Sequence, residues 1–247
     1  MATKTSAEVQ FVDELEVFRK DTEQSIQFFY GNLAVNAAAA GDKRILRLLN
    51  RAPLFWNTVV GALQTSCFIS LGRVFDRKSP HNVDRLLRIA QKNPGIFSKA
   101  ALADRKRSTS ENADEWLDEY LKTAYVPKPD DFNRLQTHVA RRRRIYESNY
   151  RDLRHKVFAH SQITEESKVN TLFARTRIRE LQQLLTFLSS LHEALWHMLH
   201  NGRKPTLRPV RYSVKRMLKL SSPRKGGGGV QERLSHEIVV FFKSLVG

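Results

Sequence analysis

Apolar residues recur at intervals of three and four along most of this chain, while stretches that alternate residue by residue are scarce. That periodicity predicts helices and few or no strands. Val9, Val12, Leu15, Phe18, Phe29 and Leu33 mark a first helix from about Glu8 to Ala40, and Gly41-Asp42 stops it and opens a second helical stretch. Pro53 suits the first turn of the next helix, where its missing N–H has no partner to lose. Trp56, Val60, Leu63, Cys67, Leu71 and Val74 then form a buried stripe that ends at Ser79-Pro80. Residues 81–130 read as shorter helices: "HNVDRLLRIAQ" is closed by Asn93-Pro94-Gly95, and "ADEWLDEYLKTAY" by Pro127 and Pro129. A third long helix is expected from about Asp131 to His160. A fourth begins near Thr164, whose hydroxyl suits an N-cap, and carries Leu181, Leu184, Leu188, Leu191, Leu195 and Met198 to Asn201-Gly202.

Beyond Gly202 the pattern changes. Residues 203–225 hold nine Lys or Arg and no acid, "SSPRKGGGG" reads as a flexible linker, and "VQERLSHEIVVFFKSL" reads as a terminal amphipathic helix that docks back on the body. The expected fold is all-α: an up-and-down helical bundle with extra short helices over residues 1–202, then a basic C-terminal extension over 203–247.

Composition sharpens this in three ways. Apolar residues make up 41% of the 247, enough for a real core. No run of eighteen uncharged apolar residues occurs, so neither a membrane-spanning helix nor a membrane partner is expected. "MATKTSAEVQF" has no apolar signal core, which predicts a cytoplasmic protein, and Cys67, the sole cysteine, excludes an internal disulfide and a thiolate-rich zinc site. Charge says most. Forty-two Lys plus Arg against 25 Asp plus Glu give +17, which points to a polyanionic partner, nucleic acid, ahead of a basic soluble protein with no such ligand, with an anionic membrane behind both.

The candidate chemistry lies in "YRDLRHKVFAH", residues 150–160. At 100° per residue, Tyr146, Tyr150, Leu153 and Val157 form an apolar stripe, with Arg154 about 40° to one side of Tyr150 and His160 about 80° to the other. Arg144, Ser148, Arg151 and His155 form a separate, outward stripe. Splitting RNA without metal needs a base for the 2′-hydroxyl proton, an acid for the departing 5′ oxygen, and positive charge at the phosphorane. Histidine suits both proton transfers near neutral pH, and arginine binds phosphate oxygens with a permanently charged planar fork. The same residues also fit a structural reading: a helix-end His160 bonded to a carbonyl, and Arg154 paired with an acid such as Asp76. The run Arg141 to Arg144 wraps most of a turn, so part of it must face solvent or phosphate. His192, His197 and His200 read as helix-surface histidines, not a metal site, and Trp56, Trp116 and Trp196 as packing or interface anchors. The glycines at 226–229 follow no strand and form no phosphate loop, and no cofactor is expected.

"RHKVFAH" resembles the signature of HEPN domains, an arginine with a polar neighbour and then a histidine after four to six intervening residues. "ALQTSCFISLGRVFDRKS" and the tail "VQERLSHEIVVFF" are similar to the abortive-infection AbiU-type HEPN group, over most of residues 10–200. The resemblance implies a helical bundle that dimerises so that two motifs line one cleft, and a metal-independent endoribonuclease of phage defence or toxin type. It implies that Arg154 holds phosphate, His160 is the acid-base residue and His155 positions cleft or RNA. Arg141, Arg144, Arg151 and Lys156 would bind RNA, with Arg73 and Asp76 supporting. Expected partners are RNA, a second copy, and an antitoxin or defence-system protein; a non-catalytic RNA-binding or protein-interaction module is the alternative. His155 stands where the family commonly has Asn. Gln162 stands where toxins silenced by nucleotidyltransferases carry a tyrosine, so that form of control is not expected.

Overall fold

The structure is a computed structural model that describes residues 5–159, 176–210, 212–214 and 229–246, apart from the side chains of Lys156, Phe158 and Ala159. Its elements are α1 (Ser6–Gly41), α2 (Lys43–Arg51), α3 (Pro53–Phe75), α4 (Val83–Lys92), a 3₁₀ turn (Pro94–Phe97), α5 (Lys99–Arg107), α6 (Ala113–Thr123), α7 (Pro129–Asn149), a π-helical segment (Leu153–Ala159), α8 (Ile178–Asn201) and α9 (Val230–Val246). No strand occurs among the described residues, and the all-α expectation holds.

The boundaries follow from capping chemistry. Asp42 accepts from the Arg44 amide at 2.8 Å and opens α2 one residue after α1 ends. Asn82 does the same for Arg85 in α4, and Ser98 for Ala101 in α5. Gly202 takes φ +53 just past α8, and a Cβ there would meet Leu102 and Ala124. The third long helix departs from expectation. α7 ends at Asn149, and after a turn at Tyr150 and helical Arg151 and Asp152 the chain winds as a π-helix from Leu153. The Thr164 start of the fourth helix and the "SSPRKGGGG" linker lie outside the described residues.

The chain divides into two compact units. The first comprises Met1–Lys20, Arg73–Ser148 and Arg179–Val210. Its core is the stripe of Leu184, Leu188, Leu191 and Leu195, all fully buried, with Leu135 and Val139 of α7 and Leu86 and Leu87 of α4. Rings run through it: Phe11 meets Phe97 edge-on at 5.3 Å, and Phe75 stacks on Tyr146 at 5.4 Å. Buried charges are paired. Arg105 lies 3.1 Å from Glu8 and donates to the Leu199 carbonyl at 2.9 Å, while Glu14 receives Arg85 at 2.6 Å and His81 at 3.1 Å.

The second unit comprises Asp21–Gly72, Asn149–Ile178 and Arg211–Gly247. Val35 and Ala38 of α1, Ile45 of α2 and Phe242 of α9 form its core, with Leu48, Leu49, Trp56, Val60 and Ile238 packed around them. The terminal amphipathic stretch is thus a docked helix. Tyr30 meets Tyr212 edge-on at 4.9 Å, and Asn32 ties α1 to the Val60 carbonyl of α3 at 3.1 Å. α3 is uncharged from Pro53 to Gly72 and, by length and composition alone, passes for a membrane span, most of its residues being exposed or only half-buried. Polar Asn57, Thr58, Gln64, Thr65, Ser66 and Ser70 interrupt the apolar run, while Cys67, Phe68 and Leu71 are buried in protein.

Candidate functional site

α7 starts with Pro129 in its first turn, and Asp131 reaches back to accept from the Lys128 amide at 2.9 Å. Its inward face is Phe132, Leu135, Val139, Arg143 and Tyr146. The four consecutive arginines take three different environments. Arg143 is buried, with its Nε donating to the Phe75 carbonyl at 3.1 Å and its guanidinium 2.7 Å from Asp84. Arg142 is half-buried over the Phe187 ring, and burial, with Arg141 beside it, pulls its pKa down. Arg141 and Arg144 are exposed. Of this run, only those two have guanidiniums turned to solvent.

In the second unit the chain continues through Tyr150, which is fully buried. Its ring stacks on Phe68 of α3 at 5.8 Å, and its hydroxyl donates to the Arg177 carbonyl at 3.2 Å while accepting from the Arg177 amide at 3.3 Å. Leu153 is fully buried and Val157 half-buried; Arg151 is exposed, and Arg154 and His155 are half-buried. The Arg154 amide bonds to the Tyr150 carbonyl at 3.0 Å, and the π-helical segment follows. The wheel drawn at 100° per residue therefore fails over residues 153–159, because a π turn closes five residues apart instead of four. Such segments concentrate at functional sites.

Arg154 and His155 come together: Nη1 of the guanidinium lies 3.2 Å from Nε2 of the imidazole. A guanidinium has only donors, so Nε2 is the acceptor and the ring hydrogen sits on Nδ1. The Arg154 side chain also lies against Gly72 so closely that a Cβ there would overlap its Nε and Cδ. Sequence reasoning quoted the segment around Gly72 but missed the residue. The signal was present, since a glycine inside a buried helix costs about 1 kcal/mol against alanine and marks a close approach. Arg73, exposed, and Asp76, which accepts from the Lys78 amide at 3.0 Å, belong to the first unit. His160, the expected acid-base residue, lies outside the described residues, as does the side chain of Lys156. Among the described residues no three His, Cys, Asp or Glu gather to hold a metal. His197 instead meets the Asn201 amide at 2.9 Å, and His200 packs on Trp196.

This arrangement holds the Arg154 guanidinium, a group able to bind phosphate, between a neighbouring imidazole and a glycine. No curated protein and no solved structure matches the chain. A family model described as AbiU2, of HEPN type, matches residues 8–217, which take in α1 to α8, Gly72 and the Arg154-His155 pair. The chain belongs to the AbiU2 group of HEPN proteins, a family tied to abortive infection.

Proposed function

We propose that the protein is a metal-independent endoribonuclease of the HEPN type, acting in phage defence or as a toxin. The observation that carries this reading is the Arg154 guanidinium, seated on Gly72 and held by His155 within the family's motif. In the proposed reaction His160 takes the proton of a 2′-hydroxyl, that oxygen attacks the adjacent phosphorus, and the protonated His160 gives the proton to the 5′ oxygen as its bond to phosphorus breaks. The products are a 2′,3′-cyclic phosphate and a 5′-hydroxyl. Arg154 neutralises the charge that grows on the phosphorane oxygens, and as a planar fork it does so from two nitrogens at once. His155 positions Arg154. Arg141, Arg144 and Arg151, exposed, and Lys156 bind the RNA backbone. Two copies of the chain supply the two walls of the cleft.

Purified protein is expected to cut RNA in EDTA and leave cyclic phosphate ends. His160→Ala should lose about a hundredfold or more in rate with unchanged melting, the size expected for a missing acid-base group. Equal cutting by the variant would place the chemistry elsewhere. Steeply salt-dependent RNA binding without any cutting would assign the motif to recognition, the role of a non-catalytic module.

A further inference from the structure

From Gln24 to Gly72 the chain holds a single acid, Asp42, and four bases: Lys43, Arg44, Arg47 and Arg51. Asp42 is engaged in capping α2 and in pairing with Arg44 at 3.0 Å. α2 turns Ile45, Leu48 and Leu49 toward the core of the second unit and leaves Lys43, Arg47 and Arg51 exposed. Leu54 and Phe55, in the first turn of α3 and only a few residues past the end of α2, are 82% and 59% exposed. Phe55 meets Trp56 edge-on at 5.2 Å, Trp56 packs on Phe242 at 5.5 Å, and the adjoining Phe241 is 52% exposed. Beside this row runs a groove of about 560 Å³ lined by Phe28, Val59, Leu63, Leu234 and Phe241. Bulky apolar side chains thus stand in water near α2, whose exposed Lys43, Arg47 and Arg51 have no acid on their own helix, while Glu237 and Arg233 of α9 also line the groove.

We propose that this corner is a docking site for an anionic lipid surface. Leu54 and Phe55 enter the boundary between headgroups and acyl chains, and Lys43, Arg47 and Arg51 meet the headgroup phosphates. A basic helix face beside exposed Leu and Phe is the pattern that binds such surfaces, each cation near them strengthening binding about fivefold. A second copy fits less well, since a two-fold contact sets the basic face of each α2 near its own image. RNA satisfies the cations and leaves Leu54 without apolar cover. A peripheral contact of this kind does not require any helix to cross the bilayer. This site stands apart from the ribonuclease reading.

The test is flotation of the full chain with vesicles of phosphatidylcholine alone or mixed with phosphatidylserine, with melting temperatures measured for every variant. The mixed vesicles alone should carry the protein up. Leu54→Ser with Phe55→Ser keeps the charge and should lower partitioning about tenfold or more. Arg47→Gln with Arg51→Gln should do the same. Brominated acyl chains should quench the native protein more than Trp56→Phe. The proposal falls if mixed vesicles bind no protein. It falls also if the serine variant floats as well as the parent, which is general adhesion of a +17 chain. Loss of self-association, or of affinity for a single-stranded RNA, in place of lost flotation would assign the corner to those partners and overturn the lipid reading.

Discussion

In the first unit Glu8 is buried against Arg105 and Glu14 against Arg85, and Arg143 is buried on Asp84 and a backbone carbonyl. In the second unit the contacts that close the core are mainly rings and aliphatic chains: Phe68 on Tyr150, Tyr30 on Tyr212, Trp56 on Phe242. The contrast matters because a buried ion pair is directional and leaves a bare charge when one side is removed, whereas apolar contact is not directional and tolerates partial exposure. The charge-knitted unit leaves Arg141 and Arg144 of α7 exposed to solvent. The ring-packed unit holds the motif arginine and leaves Leu54, Phe55 and Phe241 uncovered.

The largest effect on this contrast should come from Arg105→Ala. It strands the Glu8 carboxylate and the Leu199 carbonyl, and denaturant melts should show a loss of about 3–5 kcal/mol. If the loss is under about 1 kcal/mol, the first unit does not depend on its buried charges as argued.

Gly72→Ala probes the second unit and separates function from stability. The added Cβ displaces a flexible side chain, not backbone, and alanine favours the helix, so the melting temperature should hold or rise. RNA cleavage should fall about tenfold to a hundredfold, or about 1.4–2.7 kcal/mol in the barrier, because the guanidinium must move. Full activity in this variant would show that the seat of Arg154 has no functional weight.

A smaller effect is expected at Asp131. Burial pushes its carboxyl pKa up, but the Tyr125 hydroxyl, the Lys128 amide and Arg134 together outweigh that and hold it below the usual range. Its stabilisation is therefore complete above the ordinary carboxylate range and disappears as pH falls through the lowered value. Asp131→Asn should cost about 1 kcal/mol near neutral pH, and the gap to the parent should shrink in acid. A gap that widens in acid would reverse the sign. The smallest effect belongs to Cys67, whose thiol burial pushes up to about 12. It should resist thiol reagents in the native protein near about pH 8 and react at once in denaturant. Rapid native labelling would show that the ring-packed unit opens readily.

The sequence showed more of the fold than of the site. The stripe from Leu181 to Met198, the break at Asp42 and the stop at Asn93-Pro94-Gly95 are written in local chemistry, and the helices begin and end there. The motif, too, could be found by eye. Three features were hidden, the first two because they depend on contacts distant in sequence. Arg143 looks like its three neighbours until Asp84 and the Phe75 carbonyl claim it. Gly72 looks like a flaw in an apolar helix until Arg154 is laid across it. The change of winding at Leu153 has no residue signature at all, since no proline or glycine lies between Tyr150 and Ala159.

That altered winding bears on how such motifs are recognised. A signature written as an arginine, a polar neighbour and a histidine some four to six places on measures separation along the chain. A wide-coiled segment decouples that measure from rotation about the axis, because each residue in it contributes less turn than in an ordinary helix. One inserted or deleted residue can then be absorbed by loosening or tightening a single coil, and the groups that frame it keep their bearings. On this view the variable gap is permitted by the pitch of the backbone, and families sharing the chemistry need not share a count.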